Sequence, residues 1–396
     1  CTSKVTDMTS LFKGKASFNQ NIASWDTSSV SIMNGIFSNA STFNQNIGNW
    51  NTSNVIEMIF MFAGASLFNQ DIGGWNTSNV TNMGSMFNSA SSFNMNIGNW
   101  NTSSVKYMTD MFRNATTFNQ NIGNWDTTNV LEMMAMFYNS SFNQPINNWN
   151  VSNVKRMDYM FESYPPSGVP HPFNQPLDNW NVSNVENFEA MFYNSNFNQD
   201  IGNWDISSST SIRAMFEYTN FNYDVGDWDT SSVTDMDYIF NEAIDFNQDL
   251  SGWCVTNILS EPPKFATSSA LSAVNKPIWG TCPSSSNSTP SSFSIDVTAT
   301  SSSNYTLSGT DRAGNISGND PDLIFNVGDT INFIANASGH PFYLKTTAGT
   351  GTANTISGVT NNGVAVGTIT WTPTATGTFY YQCSFHGGMV GTITIQ

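Results

Sequence analysis

Large apolar residues return at fixed intervals along the first two thirds of the chain, separated by runs of uncharged polar residues. The dipeptide Phe-Asn recurs at Phe18, Phe43, Phe68, Phe93, Phe118, Phe142, Phe173, Phe197, Phe221 and Phe246, and a Trp stands seven residues after each, from Trp25 to Trp253. The interval is 24 or 25 residues everywhere except between Phe142 and Phe173, where it is 31. A fixed period within roughly 20–50 residues marks a solenoid or array. No single unit can bury its own apolar face, so stacked neighbours must share one continuous core.

One unit, Phe43 to Leu67, shows what each repeat should build. Phe43, Ile47 and Trp50 sit on a segment rich in Asn and Gly, a composition that favours turns and short extended pieces. Thr52 or Ser53 offers an N-cap, and Val55, Met58, Met61 and Phe62 follow at the spacing of one helical face. The pattern predicts a short strand, a turn and a helix of two to three turns per unit. Periodic Phe, Trp and Met are read as core, and the Asn-Gln steps as a ladder satisfying backbone groups at the turns. Sequons such as Asn51-Thr52-Ser53 follow from the repeat and do not demonstrate glycosylation.

Composition narrows the class. There are 29 acidic and 12 basic side chains, a net charge of −17, yet charged residues make up only 10% of the chain. Nucleic acid is a poor partner for so few Lys and Arg. Aromatic residues at 13% argue against disorder. No apolar run is long enough to span a membrane. With three histidines, few hydrolytic or metalloprotease sites can be assembled, and no Ser-His-Asp set, phosphate loop or zinc-protease helix is present, so no enzyme is expected.

The units resemble the BspA-like leucine-rich-repeat surface proteins over about residues 1–258. The resemblance stands on Phe68-Asn69-Gln70-Asp71-Ile72, Trp75-Asn76-Thr77-Ser78, then Val80, Met83, Met86 and Phe87, repeated ten times. It implies an α/β solenoid of about ten leucine-rich-type repeats. It further implies a secreted or surface-anchored protein that adheres to other proteins or cell-surface molecules.

Residues 259–290 read as a cap and a Ser/Pro linker. Cys254 follows the last repeat Trp, and Cys282 closes the stretch after it. A bridge between them would pin the cap and fit an oxidising, extracellular compartment. The insertion Glu162–His171 falls on a loop of one face, where His171 is expected to be solvated. Cys1 occupies the position after the repeat Trp, so the chain starts inside a unit. It admits two readings: a lipid-modified first residue, or an open end that stacks head-to-tail on another molecule and propagates assembly.

From residue 291 to 396 the pattern changes to short β-branched and aromatic strands between Gly and Asn turns, the pattern of an all-β Greek-key sandwich. Strands are expected at Phe293–Val297, Leu323–Val327, Thr330–Ile334, Gly367–Trp371, Thr378–Gln382 and Gly391–Ile395. Here lie two of the three histidines: His340, and His386 within Cys383-Ser384-Phe385-His386-Gly387-Gly388-Met389. One thiolate, two imidazoles and a thioether match the His2Cys set with a weak axial Met that holds type 1 copper. The stretch resembles the cupredoxins, through Gly328-Asp329-Thr330 before the first His and Thr376–Cys383 before the loop. The resemblance implies that His340, Cys383, His386 and Met389 bind one copper ion. Two functions follow as expectations: an extracellular structural or adhesive scaffold with a cupredoxin-like head, and, as the alternative, a copper electron-transfer protein tethered by the solenoid.

Overall fold

The computed structural model describes residues 2–164, 168–283 and 291–396. Cys1, the middle of the insertion and most of the Ser/Pro linker lie outside the described residues. The chain divides into two compact units, Cys1–Cys282 and Pro283–Gln396.

In the first unit each repeat is one coil, and the coil carries no α-helix. Among the described residues the only helical turn is a 3-10 segment at Ala273–Asn275. The expected helical half is instead a chain of tight turns, and the hydrogen bonds explain why. In the coil that holds Phe62, the amides of Met58, Phe60, Phe62 and Gly64 donate outward to Asn82, Gly84, Met86 and Asn88 of the next coil at 2.7–3.1 Å. The amides between them close local turns, Met61 to Met58 and Ala63 to Phe60. Alternate amides that serve a neighbour cannot serve an i−4 carbonyl, so an α-helix is excluded. The geometry needs a left-handed residue about every four positions. Ser10, Gly35, Phe60, Ser85, Asp110, Ala135, Tyr159, Ala190, Ala214, Tyr238 and Lys264 form one such column, with φ between 50° and 63°. The apolar spacing that reads as a helix is therefore the spacing of a turn coil. Among the described residues its β character is a ladder one residue wide, running from Asp7 through Ile32, Glu57 and Asn82 to Asp235, and one further bridge between His171 and Ser195.

Three side-chain ladders tie the coils together. Each Asn after the repeat Phe accepts from the next coil: Asn94 Oδ1 takes the Asn119 amide at 3.0 Å and the Gln120 Nε2 at 3.1 Å. From Trp50 to Trp253 each repeat Trp donates back, as Trp100 Nε1 does to the Ile72 carbonyl at 3.1 Å. Thr27, Thr52, Thr77, Thr102 and Thr127 are buried and bond the following coil, as Thr52 does to the Asn76 carbonyl at 2.9 Å. Between the ladders the rings pile up. Phe62 lies 5.5 Å from Phe37 and 5.6 Å from Phe87, while Trp75 and Trp100 are nearly parallel at 6.5 Å. Each buried Phe contributes about 1.5–3 kcal/mol, so the core runs the length of the unit without a break. The stack ends at Phe265, whose ring stands edge-on to Phe240, and beside it the Cys254–Cys282 disulfide closes the last coil.

Among the described residues the second unit has nine strands: β1 (Ser292–Thr298), β2 (Thr306–Asp311), β3 (Gly314–Asn319), β4 (Leu323–Phe325), β5 (Thr330–Asn336), β6 (Phe342–Lys345), β7 (Val366–Trp371), β8 (Gly377–Cys383) and β9 (Val390–Ile395). They form a five-stranded sheet in the order β3-β2-β1-β5-β7 and a four-stranded sheet in the order β4-β9-β8-β6. Alternation within strands aims one face of each sheet at a shared core, in which Ile295, Phe333 and Ile369 meet Phe342, Tyr381 and Ile393. Asp329 is fully buried between the Ser291 and Asn326 amides, at 2.9 and 2.8 Å, and the Arg312 guanidinium. Burial alone would raise its pKa, but these three partners hold it below the ordinary carboxylate value.

Candidate metal centre

Strand pairing assembles the predicted ligands at one end of the four-stranded sheet. β6 runs antiparallel to β8 with Phe342 opposite Cys383, so His340, two residues before Phe342, lies beyond the end of β8. The hairpin from β8 to β9 then carries His386 and Met389 back over the same point. Nδ1 of His340 stands 3.2 Å from Nδ1 of His386, and Sγ of Cys383 stands 3.4 Å from that second nitrogen. All three donor atoms lie within 4.8 Å of one another. Cys383 and Met389 are fully buried, while both imidazoles are half-buried. The Cys383 amide donates to the Met389 carbonyl at 3.0 Å, which fixes both ends of the loop.

A second layer holds the donors in place. Gln382 Nε2 donates to the carbonyls of His386 and Met389 at 2.9 and 3.1 Å, bracing the loop from beneath. The Tyr305 hydroxyl donates to the carbonyls of His340 and Pro341 at 3.0 and 2.9 Å, anchoring the other segment. Burial, reinforced by Cys383 beside it, pushes the Tyr305 pKa far up, so it remains a donor. Lys345 is buried, with its ammonium on the carbonyls of Gly349 and Gly351, and the Gly351 amide in turn donates to Ser384 at 2.7 Å. Burial lowers the Lys345 pKa. The chain thereby clamps the loop after β6 against the loop that carries His386.

The donor set fits one copper ion. Two imidazole nitrogens and a cysteine sulfur crowd one point, no carboxylate joins the cluster among the described residues, and a buried thioether closes the same loop. Tyr305, Gln382 and Lys345 were not singled out from the sequence. Gln382 was accessible there as the neighbour of Cys383, whereas nothing local marks Tyr305, 35 residues before His340.

In the solenoid a further expectation needs correction. His171 is not solvated. It is 1% exposed, its Nε2 lies 2.8 Å from the Phe137 carbonyl, and its Nδ1 accepts the Phe173 amide at 3.2 Å. The insertion returns the chain to register at this residue, so the ring fills the slot that Ser140, Ser195 and Thr219 fill in neighbouring coils. Burial lowers its pKa to about 4.

Comparison with known proteins separates the two units. Residues 1–83, 68–168, 119–220 and 167–279 each match the family described as "Mycoplasma protein of unknown function, DUF285", the overlaps reflecting the internal repeat. No curated protein matches the chain. The solved structure of the copper protein rusticyanin aligns at 21% identity over 28% of this chain and 80% of that one, with a TM-score of 0.20.

Proposed function

Since the chain belongs to the DUF285 family through residues 1–279, we propose that it is a cell-surface interaction scaffold of BspA-like type whose C-terminal, cupredoxin-like head binds one copper ion. The observation that carries the copper reading is the convergence of His340, Cys383 and His386 within 4.8 Å. His340, Cys383, His386 and Met389 would hold the ion, and bound copper would supply a one-electron couple. The protein contributes the rest. Gln382 and Tyr305 fix the two backbone segments, and the buried Cys383 is kept from solvent.

The scaffold reading is supported by a continuous stacked core, a chain rich in uncharged polar residues and a disulfide at Cys254–Cys282 suited to an oxidising compartment. Its partners are proteins or other molecules displayed at cell surfaces. A second reading, electron transfer, is favoured by Phe385, which is 68% exposed immediately before His386 and gives a redox partner an apolar edge to dock on.

The test is addition of Cu(II) to the purified protein. An intense blue thiolate-to-copper band is expected, and Cys383→Ser should abolish it. Absence of the band with one equivalent of copper removes the copper reading. A band with a reversible potential moves the balance to electron transfer.

A further inference from the structure

The solenoid carries a cavity of about 230 Å³ on the flank beside the insertion. Two columns of the stack build it. In the left-handed column, Tyr159 and Tyr238 project from coils on either side of two coils that carry only Ala190 and Ala214. The missing side chains leave a gap with a small-residue floor and a tyrosine ring at each end. The column three residues on supplies Glu162, Tyr193 and Glu217, and Tyr164 of the insertion completes the wall.

Charge on this wall is unbalanced. Glu162 is 8% exposed, lines the cavity, and its Oε2 has no hydrogen-bond partner. A buried carboxylate oxygen left in this state is costly unless something brings it a donor and a positive charge. The nearby cations are already engaged: Arg213 and Lys264 lie 4.9 and 5.8 Å over the Tyr238 ring, and Lys264 attracts Glu217. Arg213 pairs with Asp237 at 2.9 Å and reaches Asp235 and Glu189 at 3.8 and 3.9 Å. Arg113 pairs with Asp110 and lies 3.7 Å over the Tyr138 ring. Glu217 adds a second carboxylate, tied through Oε1 to Asn241 at 2.6 Å. An anion is repelled here. Tyr159, Tyr164 and Tyr193 beside an unpartnered carboxylate oxygen instead offer the recognition chemistry of an organic ammonium.

We propose that this cavity binds an alkylammonium group, either of a free amine or at the end of a partner's lysine side chain. The inference names a ligand class for the solenoid and rests on the scaffold reading. It does not involve the copper site. The register break beside it is consistent with this, because insertions in repeat arrays map to loops of one face, often the binding face.

Binding should depend on pH. Burial raises the Glu162 pKa to about 7, with Glu189 and Glu217 adding to the rise and Arg113 opposing it. Tyr138, Tyr159 and Tyr193 also face it, but burial pushes their pKa values up, so they stay neutral. Affinity should therefore fall about tenfold for each pH unit below about 7.

The experiment is calorimetric titration of the whole chain with tetramethylammonium, n-butylammonium and N-acetyl-lysine amide. tert-Butyl alcohol and N-acetyl-norleucine amide serve as neutral counterparts. Saturable binding of the cations alone is expected, weakened at least tenfold by Glu162→Gln and lost in Ala214→Tyr. The second variant fills the gap with a residue that the same column already holds at Tyr159 and Tyr238, so folding is not at issue. Tighter binding of the lysine amide than of the small amines identifies a protein ligand, and equal binding identifies a free amine. No saturable binding of any cation, equal binding of the neutral compounds, or an unaffected Glu162→Gln overturns the proposal. If Glu162→Gln also fails to change surface adhesion that the wild type shows, the scaffold reading survives while this site does not.

Discussion

His171 turns the insertion into an acid-sensitive element. Its ring is buried with both nitrogens used, Nδ1 accepting from Phe173 and Nε2 donating to Phe137, so the fold demands the neutral form. Burial takes the pKa from 6.5 to about 4. At about 1.36 kcal/mol per pH unit, that gap is worth about 3 kcal/mol. Above about 6.5 neither state carries the proton and this stability is fully present. As pH falls from 6.5 towards 4 the unfolded chain takes up the proton while the folded one refuses it, and the stability is lost.

A wild-type pH series alone would mislead, because Glu162 works the other way. Its folded pKa is raised from 4.5 to about 7, so it costs stability as pH rises through that window. The comparison that isolates His171 is wild type against His171→Ser. Serine already serves this slot: Ser195 donates to the Phe192 carbonyl at 2.7 Å and accepts from the Phe197 amide at 3.3 Å. Urea unfolding of both proteins between about pH 4 and pH 7 should show the stability of the wild type fall by about 3 kcal/mol relative to His171→Ser on acidification. The His171 Cε1 resonance, one of three histidine signals, should stay at its neutral position down to about pH 5. A His171 titration near 6.5, or a flat difference across the window, would refute the reasoning.

Other expectations concern the ladders, the cap and the metal loop. Asn94→Ala leaves the Asn119 amide without its acceptor and should destabilise the solenoid by about 1–3 kcal/mol in urea unfolding. Cys254→Ser should cost about 3–4 kcal/mol and remove hydrogen-exchange protection first in the last coils, where the Phe240 amide donates to the Phe265 carbonyl. Tyr305→Phe frees the His340 and Pro341 carbonyls and should weaken Cu(II) affinity about 10–100-fold in a competition titration without changing the donor set.

The repeat register was legible in the sequence because it is written in the largest side chains, and Phe and Trp can stack only in phase. The internal path of each coil was not. Phe60, Ser85, Asp110 and Ala135 adopt a left-handed conformation without being glycine, so no residue type announces the turns that replace the expected helix. His171 was misplaced for a related reason: the insertion hides that the residue re-enters the serine slot. In the sandwich, β-branched strands such as β5 and β9 stood out, whereas β2 and β3, rich in Ser and Gly, did not. The proposed copper ligands were visible through the scarcity of histidine. Tyr305 was not, because its link to the site exists only after the sheets have formed.

The two kinds of column have unequal freedom to vary. The asparagine and tryptophan columns are fixed by the bonds they give to neighbouring coils, so substitutions there weaken the framework. The left-handed column is fixed in backbone shape alone and already holds Ser, Gly, Phe, Asp, Ala, Tyr and Lys. Its conformational cost is met by the ladders on either side, whatever side chain it bears. Such a surface can be rewritten one rung at a time at little risk to stability. A lineage could change what the solenoid meets while inheriting the same rod.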